Sequence, residues 1–366
     1  MKISQIEIFP LRIPLLASFR NSRQARDFQE SIVLRMATDE GLSGVGNIDP
    51  DPGYSEQSFA ETLAAIKKLA QSIKGFDPCN VVAILEHMDR TVPGHFEAKA
   101  ALEMALFDIK GKALAVPVHS LLGGKVQDVL RLNGWIGLLP PDEAAREAVE
   151  WLGRGFGSAK IKVGSGVDQD RDRVKAVRDA VGNKMSLRVD ANEAYGVDEA
   201  IKLGKALQPF DLALFEQPVS RRDLRGMARV RRKIAIPIMA DEAILGPETL
   251  FAVIKTEAAD MVKLKVMKQG GIHRTTLMAG MAAAAGLQCV IGHGFGLAIN
   301  TLAEIHVAAS CPNIMSGCEF VGPLKIKKDV VEQPLGMDRG NVRVPDGMGL
   351  GVELDEEKLR DCKMAC

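Results

Sequence analysis

None of the six cysteines, at 79, 289, 311, 318, 362 and 366, belongs to a CxxC pair. Their spacing suggests neither a zinc site nor a disulfide framework. They read as small core hydrophobes, with two thiols in the tail. Net charge is also missing, because Lys plus Arg number 47 and Asp plus Glu number 47. A balanced chain has no bulk field for nucleic acid or an anionic membrane, so neither partner is expected and any charge argument must be local. No uninterrupted apolar run is long enough to span a bilayer. The opening MKISQIEIFPLRIPLL lacks the order of charge, apolar run and small residues of a secretory signal. A cytoplasmic location is the expectation. No GxGxxG follows a first strand, which argues against a doubly wound dinucleotide fold.

What is present is a chain of 366 residues, 46% hydrophobic and 26% charged, the balance of a globular enzyme. Residues 2–13 alternate polar and apolar, and 31–46 read as a hairpin turning at Asp39-Glu40-Gly41. Between them LASFRNSRQARDFQ has no strong period and reads as a loop. Residues 55–74 and 97–115 have helical spacing. The N-terminal third is therefore α+β. From about residue 130 short apolar strands alternate with amphipathic helices: LRLNGWIG, SAKIKV, SLRVD, LALFEQP, IPIMAD, ADMVKLK and LQCVIG. The polar residues ending successive strands recur 24 to 28 residues apart. That repeat fits parallel strands with helical crossovers closed into a β/α barrel. The expected division is a cap over 1–125, rejoined by 323–366, and a barrel over 126–322.

Barrel strands present their C-terminal ends to the active site. In order those ends carry Lys160 and Lys162, then Asp190 and Asn192, then Glu216, then Asp241 and Glu242, then Lys263 and Lys265, then His293. Each piece has an ordinary explanation. A KxK alone is what a wet edge strand shows, and Asp241-Glu242 could cap a helix, since Pro247 and Glu248 follow. The order and even spacing of the whole set carry the argument. Three converging carboxylates would repel one another and raise their own pKa values unless a cation joined them. An all-oxygen trio favours a hard ion, Mg²⁺ or alternatively Mn²⁺. Lysines near a dication and near each other would lose proton affinity and become available as bases. A substrate carboxylate on the ion, with a lysine removing the proton from the adjacent carbon, would give an enediolate.

At these residues the chain resembles the mandelate racemase and muconate lactonizing enzyme group of the enolase superfamily, for which this chemistry is well known. It is most similar to the muconate-lactonizing subgroup, with KxK on strand two and lysine on strand six. AKAALEMALFDIKGKALAVPVHSLLGG (98–124), VKLKVMKQGGI (262–272) and CEFVGPL (318–324) carry the likeness elsewhere. The resemblance implies a modified TIM barrel, (β/α)₇β, with an α+β N-terminal capping domain. It implies Asp190, Glu216 and Asp241 as metal ligands and Lys162 and Lys265 as the two acid/base catalysts. Lys160 and Glu319 would assist, and Asn192 and Glu242 would hold the ligands. A homo-oligomer is expected, as is common in that group.

The departures matter as much. The cap hairpin ends GVGN, with Asn47 in place of the usual glutamate, and strand seven reads GHGFGLA, with Gly296 in place of another. His293 lies near the place of the mandelate racemase histidine but lacks that enzyme's aspartate partner on strand six. It is either a third proton-transfer group or a supporting side chain. Strand eight has Glu319 and Val321 where dipeptide epimerases carry DxD, which argues against a dipeptide substrate. Arg20, Arg23 and Arg26 fall in the segment expected to lid the barrel and could bind a second carboxylate. Trp135 could line the pocket or fill the core. The function expected is a metal-dependent isomerase of a small carboxylate, either a cycloisomerase or a racemase/epimerase. The alternatives are a dehydratase and a binding protein that has lost the chemistry.

Overall fold

The computed structural model describes residues 1–20, 25–50 and 57–364, with side chains for all of these except 17–20 and 25–26. Three antiparallel strands open the chain: β1 (Ile3–Arg20), β2 (Ala25–Thr38) and β3 (Ser43–Ile48). They pair in chain order, Ile8 opposite Leu34 and Leu34 opposite Gly46. Of the stretch that reads as a loop, residues 16–20 and 25–29 belong to β1 and β2 instead, and beyond an irregularity after Pro14 Phe19 pairs with Arg26 and Arg20 with Ala25. A two-stranded ribbon satisfies its backbone through the ladder and needs no hydrophobic period to do so.

Helices α1 (Phe59–Ser72), α2 (Val81–Thr91) and α3 (Phe96–Ala113) follow. The sequence dictates how closely α3 lies on β3. A Cβ on Gly46 would stand 1.8 Å from the carbonyl oxygen of Ala101, and one on Gly44 2.4 Å from that of Ala105. Glycine on the strand and alanine on the helix bring the two backbones together. This contact forms the core of the cap. A short helix, α4 (Val118–Leu121), and strand β4 (Val129–Arg131) lead out of it.

Seven parallel strands then alternate with helices. They are β5 (Gly134–Ile136), β6 (Ser158–Lys162), β7 (Ser186–Asp190), β8 (Leu212–Glu216), β9 (Ile238–Ala240), β10 (Met261–Leu264) and β11 (Gln288–Ile291). The crossovers are α5 (Pro141–Gly153), α6 (Val167–Val181), α7 (Val197–Leu207), α8 (Leu224–Arg231), α9 (Pro247–Lys255), and the pair α10 (Val266–Gln269) and α11 (Ile272–Ala284). Helix α12 (Ala298–Ser310) follows β11. The strands are hydrogen-bonded in chain order. An irregular eighth strand joins the two edges. Ile314 bridges to Cys289 and Cys318 to Leu132, while the Glu319 N–H donates to Ile291 O at 2.8 Å. This closes the (β/α)₇β ring expected from the repeat.

Parallel pairing sets the active-site level. Lys162 is paired with Asp190, and Asp190 with Glu216. Side chains alternate along a strand, so residues two apart share a face. Leu214, two before Glu216, joins Met239 and Val290 in a small apolar cluster of its own inside the ring. The barrel is thus plugged by hydrocarbon at one level and becomes ionic towards the strand ends.

The end of the chain turns back. β12 (Met337–Asp338) and β13 (Asn341–Arg343) pair onto β4, and α13 (Glu356–Cys362) follows. Ile326 bridges to Leu15 and Lys363 to Leu11, both on β1. Among the described residues no helix is long and apolar enough to cross a membrane.

Candidate active site

Lys160 sits at the middle of the ionic layer. Its Nζ lies 3.1 Å from Asp190 Oδ2, 3.1 Å from Glu216 Oε2 and 2.5 Å from Glu319 Oε2. Lys263 approaches from β10, its Nζ 3.3 Å from Glu216 Oε1 and also bonded to Glu319 Oε2. Arg188 donates to the carbonyls of Gly317 at 2.8 Å and Ser316 at 2.7 Å, and its Nη1 stands 3.6 Å from Glu319 Oε1. All these side chains are buried.

On one flank Lys162 Nζ is 2.7 Å from Asp190 Oδ2 and 2.5 Å from Asn192 Oδ1. Asn192 Nδ2 donates to Glu242 Oε1 at 2.9 Å, and its N–H donates to Asp190 Oδ1 at 3.0 Å. On the other flank Lys265 Nζ lies 2.5 Å from both carboxylate oxygens of Asp241. Lys268 Nζ donates to Asp241 Oδ1 and to its carbonyl, each at 2.7 Å. At the ends of β7 and β8, Asn192, Glu193 and Gln217 hold left-handed backbone, at φ 44°, 69° and 34°. Asn tolerates this region readily and Gln does not. Gln217 is kept there by its amide, which accepts from the N–H groups of Asp241 at 3.0 Å and Ala243 at 3.2 Å and donates to Val219 O at 2.9 Å. The strained residue therefore fixes the loop that carries Asp241.

The carboxylates of the layer dominate the proton affinity of Lys160 among the protein groups. Burial works to lower its proton affinity, but Glu216, Glu319 and Asp190 hold it well above the ordinary lysine range. Burial likewise works against Lys265, which Asp241 and Glu242 raise. Lys268 goes the other way, down to about 8, because burial and the charge of Lys265 outweigh Asp241. Among the acids, burial and Asp190 push Glu216 up to about 8 despite Lys160 and Lys263. Asp190 and Asp241 overcome burial through their lysines and stay below the usual carboxylate range.

Could these residues hold a divalent ion? The donor chemistry fits: three carboxylates come from adjacent strand ends, and a single cationic atom, Lys160 Nζ, already lies between Asp190 and Glu216. Asp241 is turned towards Lys265 and Lys268. As the side chains stand, no three His, Cys, Asp or Glu groups among the described residues are gathered tightly enough to ligate one ion. Each carboxylate takes the nearest ammonium, so Asp241 would have to exchange its lysine partners for the metal.

His293 is fully buried and its Nδ1 lies 2.6 Å from Glu304 Oε2. Glu304, on α12, also accepts from the Val266 N–H at 3.2 Å, one residue beyond Lys265. Trp135 is half-buried against Trp151, ring centres 4.2 Å apart, with Lys325 Nζ 4.2 Å over its ring. Arg23 lies outside the described residues, and so do the side chains of Arg20 and Arg26. Sequence reasoning did not assign Lys268, Arg188, Gln217 or Glu304. Arg188 and Lys263 share the strand parity of Asp190 and Lys265, which is the one signal that could have marked Arg188. Glu304 reads as an ordinary helical residue.

Two family models cover most of the chain: the mandelate racemase/muconate lactonizing enzyme N-terminal domain over residues 5–123 and the enolase C-terminal domain-like model over 143–358. The chain belongs to the mandelate racemase/muconate lactonizing enzyme group of the enolase superfamily. It is an isomerase of that superfamily. An N-succinyl-L-Arg/Lys racemase of Bacillus cereus is 34% identical over 99% of this chain and 98% of its own, and a crystal structure of that N-succinyl Arg/Lys racemase matches with a TM-score of 0.97, covering 100% of this chain and 99% of that one. Muconate cycloisomerase 1 of Acinetobacter baylyi is 30% identical over 98% of both chains. A dipeptide epimerase of Enterococcus faecalis, solved with Mg and the dipeptide L-Leu-L-Tyr, is 32% identical with a TM-score of 0.92 over 96% of this chain and 99% of its own. Magnesium is therefore found in this group, and its members act on small molecules.

Proposed function

We propose that the chain is a Mg²⁺-dependent racemase of N-acylated α-amino acids, with Lys162 and Lys265 as its acid/base pair. The observation that carries this is the placement of the two lysines on opposite flanks of the carboxylate strands. Lys162 is bonded to Asp190, and Lys265 to Asp241. A proton-delivering cycloisomerase needs one such group, whereas inversion at carbon needs one on each face of the substrate. The full-length likeness to an N-succinyl-L-Arg/Lys racemase points the same way. Val321 in the second DxD position weighs against dipeptides.

In this reading Asp190, Glu216 and Asp241 hold the ion. When bound, Mg²⁺ supplies an electrophile for the substrate carboxylate and so makes the α-proton more acidic. Lys162, steadied by Asn192, removes or returns that proton on one face, and Lys265 does so on the other. Lys160 and Lys263 fix Glu216 and Glu319 and counter their charge. His293 supports the site through Glu304 rather than acting on the substrate.

The test is incubation with N-succinyl amino acids and Mg²⁺ in D₂O. Deuterium entering the α-carbon with loss of optical rotation is expected. Lys162→Ala and Lys265→Ala should each lower racemisation by about 10³-fold, within the range set by loss of a general acid/base. Each variant should still exchange the α-proton of one enantiomer, and opposite enantiomers for the two. A product lighter by one water would instead identify a dehydratase.

A further inference from the structure

The supports of Lys162 converge on one buried ion pair that the proposed reaction does not use. Asp170 lies in the first turn of α6 and Arg173 three residues on, both buried. Asp170 Oδ1 receives Arg173 Nη1. Its Oδ2 accepts the N–H groups of Gly164 at 2.8 Å and Ser165 at 2.9 Å, and the hydroxyl of Tyr195. Arg173 spends its other donors on the neighbouring loops. Nε donates to the Leu139 carbonyl, Nη2 donates to Ser165 Oγ at 3.2 Å, and Nη1 stands 3.4 Å from the Lys162 carbonyl. The pair therefore joins the segments that leave β5, β6 and β7.

Lys162 stands where the sheet gives out. It ends β6, and β5 stops at Ile136, opposite Ile161 and one residue short of it. The Val163 N–H still donates to the Asp190 carbonyl at 3.0 Å, and the chain then turns at Gly164, φ 138°. Asp170 takes the next two N–H groups, and Arg173 reaches back to the Lys162 carbonyl, so the main chain is held on both sides of the turn. Tyr195 extends the same anchor to the loop carrying Asn192, whose Oδ1 is 2.5 Å from Lys162 Nζ. A buried ion pair gains little stability over hydrocarbon of the same volume, whereas its hydrogen bonds fix three loops in one geometry. The other flank has supports of its own. The Lys265 N–H donates to Gln269 Oε1 at 2.5 Å, Gln269 Nε2 donates to the Ile244 carbonyl at 3.0 Å, and Glu304 holds Val266.

We propose that Asp170, through Arg173 and Tyr195, is the positioning residue of Lys162 and not of Lys265. Proton transfer on one face of the substrate then depends on this ion pair, and transfer on the other face does not. The inference rests on the two-lysine reading above and divides its machinery between the faces. Displacing a reacting group by about 1 Å costs up to about 10²-fold in rate, so a loosened anchor shows as a loss confined to one face.

The experiment follows α-deuterium exchange of each enantiomer of an N-succinyl amino acid separately, with the full Mg²⁺-loaded chain in D₂O. The enantiomer that Lys162→Ala no longer exchanges reports on Lys162, and its mirror image reports on Lys265. Asp170→Asn should lower kcat for exchange of the first at least about 10-fold and of the second less than about twofold, with both KM values within about twofold. Tyr195→Phe removes one hydroxyl and leaves the ion pair in place. It should show the same one-sided loss, at least about threefold, and it decides the matter if Asp170→Asn does not fold. A merely structural role would lower both exchanges together, by reducing the folded fraction. Equal losses on the two faces, or no loss in either variant, would overturn the proposal and leave the racemase reading standing. No exchange of either enantiomer by the unaltered chain would overturn that reading and the proposal with it.

Discussion

Gly296 makes room for the ring of His293: a Cβ at 296 would stand 1.9 Å from Nε2 and 2.5 Å from Cδ2 of the imidazole. The two departures from the family pattern at strand seven are therefore one. A histidine at 293, held by Glu304, occupies the space that a side chain at 296 would need. Gly296→Ala should destabilise the fold by about 1–3 kcal/mol, as overpacking does. The double variant Gly296→Ala with His293→Ala should recover most of that loss. Urea midpoints of the single and double variants measure it, and no recovery would disprove the coupling.

Lys263 is fully enclosed between Glu216 and Glu319. Removing one partner of a buried ionic group leaves an unpaired charge, at a cost of about 3–5 kcal/mol. Lys263→Met is expected to fall in that range, and Lys263→Met with Glu319→Gln to cost clearly less than the sum of the two singles. A double-mutant cycle in urea reads the coupling directly.

Metal binding can be tested apart from turnover. The chain should take up one Mn²⁺, seen as loss of the free-ion electron paramagnetic resonance signal. Asp190→Asn, Glu216→Gln and Asp241→Asn should each weaken it at least about 100-fold, since outer partners alone contribute about 10–100-fold. If Asp241→Asn binds as well as the parent, Asp241 remains with Lys265 and Lys268 and is not a ligand.

His306 gives a pH dependence of known sign. Its Nδ1 accepts the His119 N–H at 3.2 Å, and Nε2 faces Leu350 O at 3.3 Å, so the ring is held neutral. Burial pushes its pKa down to about 4. The unfolded chain binds a proton near pH 6.5 that the folded chain refuses until about pH 4. Stability from this group is full above pH 6.5 and falls as the pH drops towards 4, by up to about 3 kcal/mol. His306→Gln should lower stability at pH 7.5 and flatten the fall between pH 7 and 5. Urea midpoints across that range check it, and an unchanged slope would show that other groups carry the acid loss.

Much of the barrel is legible in the sequence because strand and helix periods are local and because a strand's parity fixes which residues share a face. Lys160 with Lys162, and Lys263 with Lys265, follow from that alone. The turn at Asp39–Gly41 is also local. The ribbon through Phe19 and Arg26 is not, since its pairing depends on a partner strand and leaves no apolar rhythm. Glu304 is invisible for a related reason: it lies on a helix, eleven residues from His293, and only the return of α12 brings it to the ring. The same holds for Asp170 and Tyr195, which lie 25 residues apart on either side of β7.

The order of residue types along the chain, set by alternation and by even spacing, thus determined the ring of strands and the charges at its rim. Tertiary structure decided which charge meets which. Asp241 is bound to Lys265 and Lys268, Glu319 to Lys160 and Lys263, and His293 to Glu304. Coulomb and hydrogen-bond energies depend on distances of a few ångströms, and those distances are fixed only when separate elements pack.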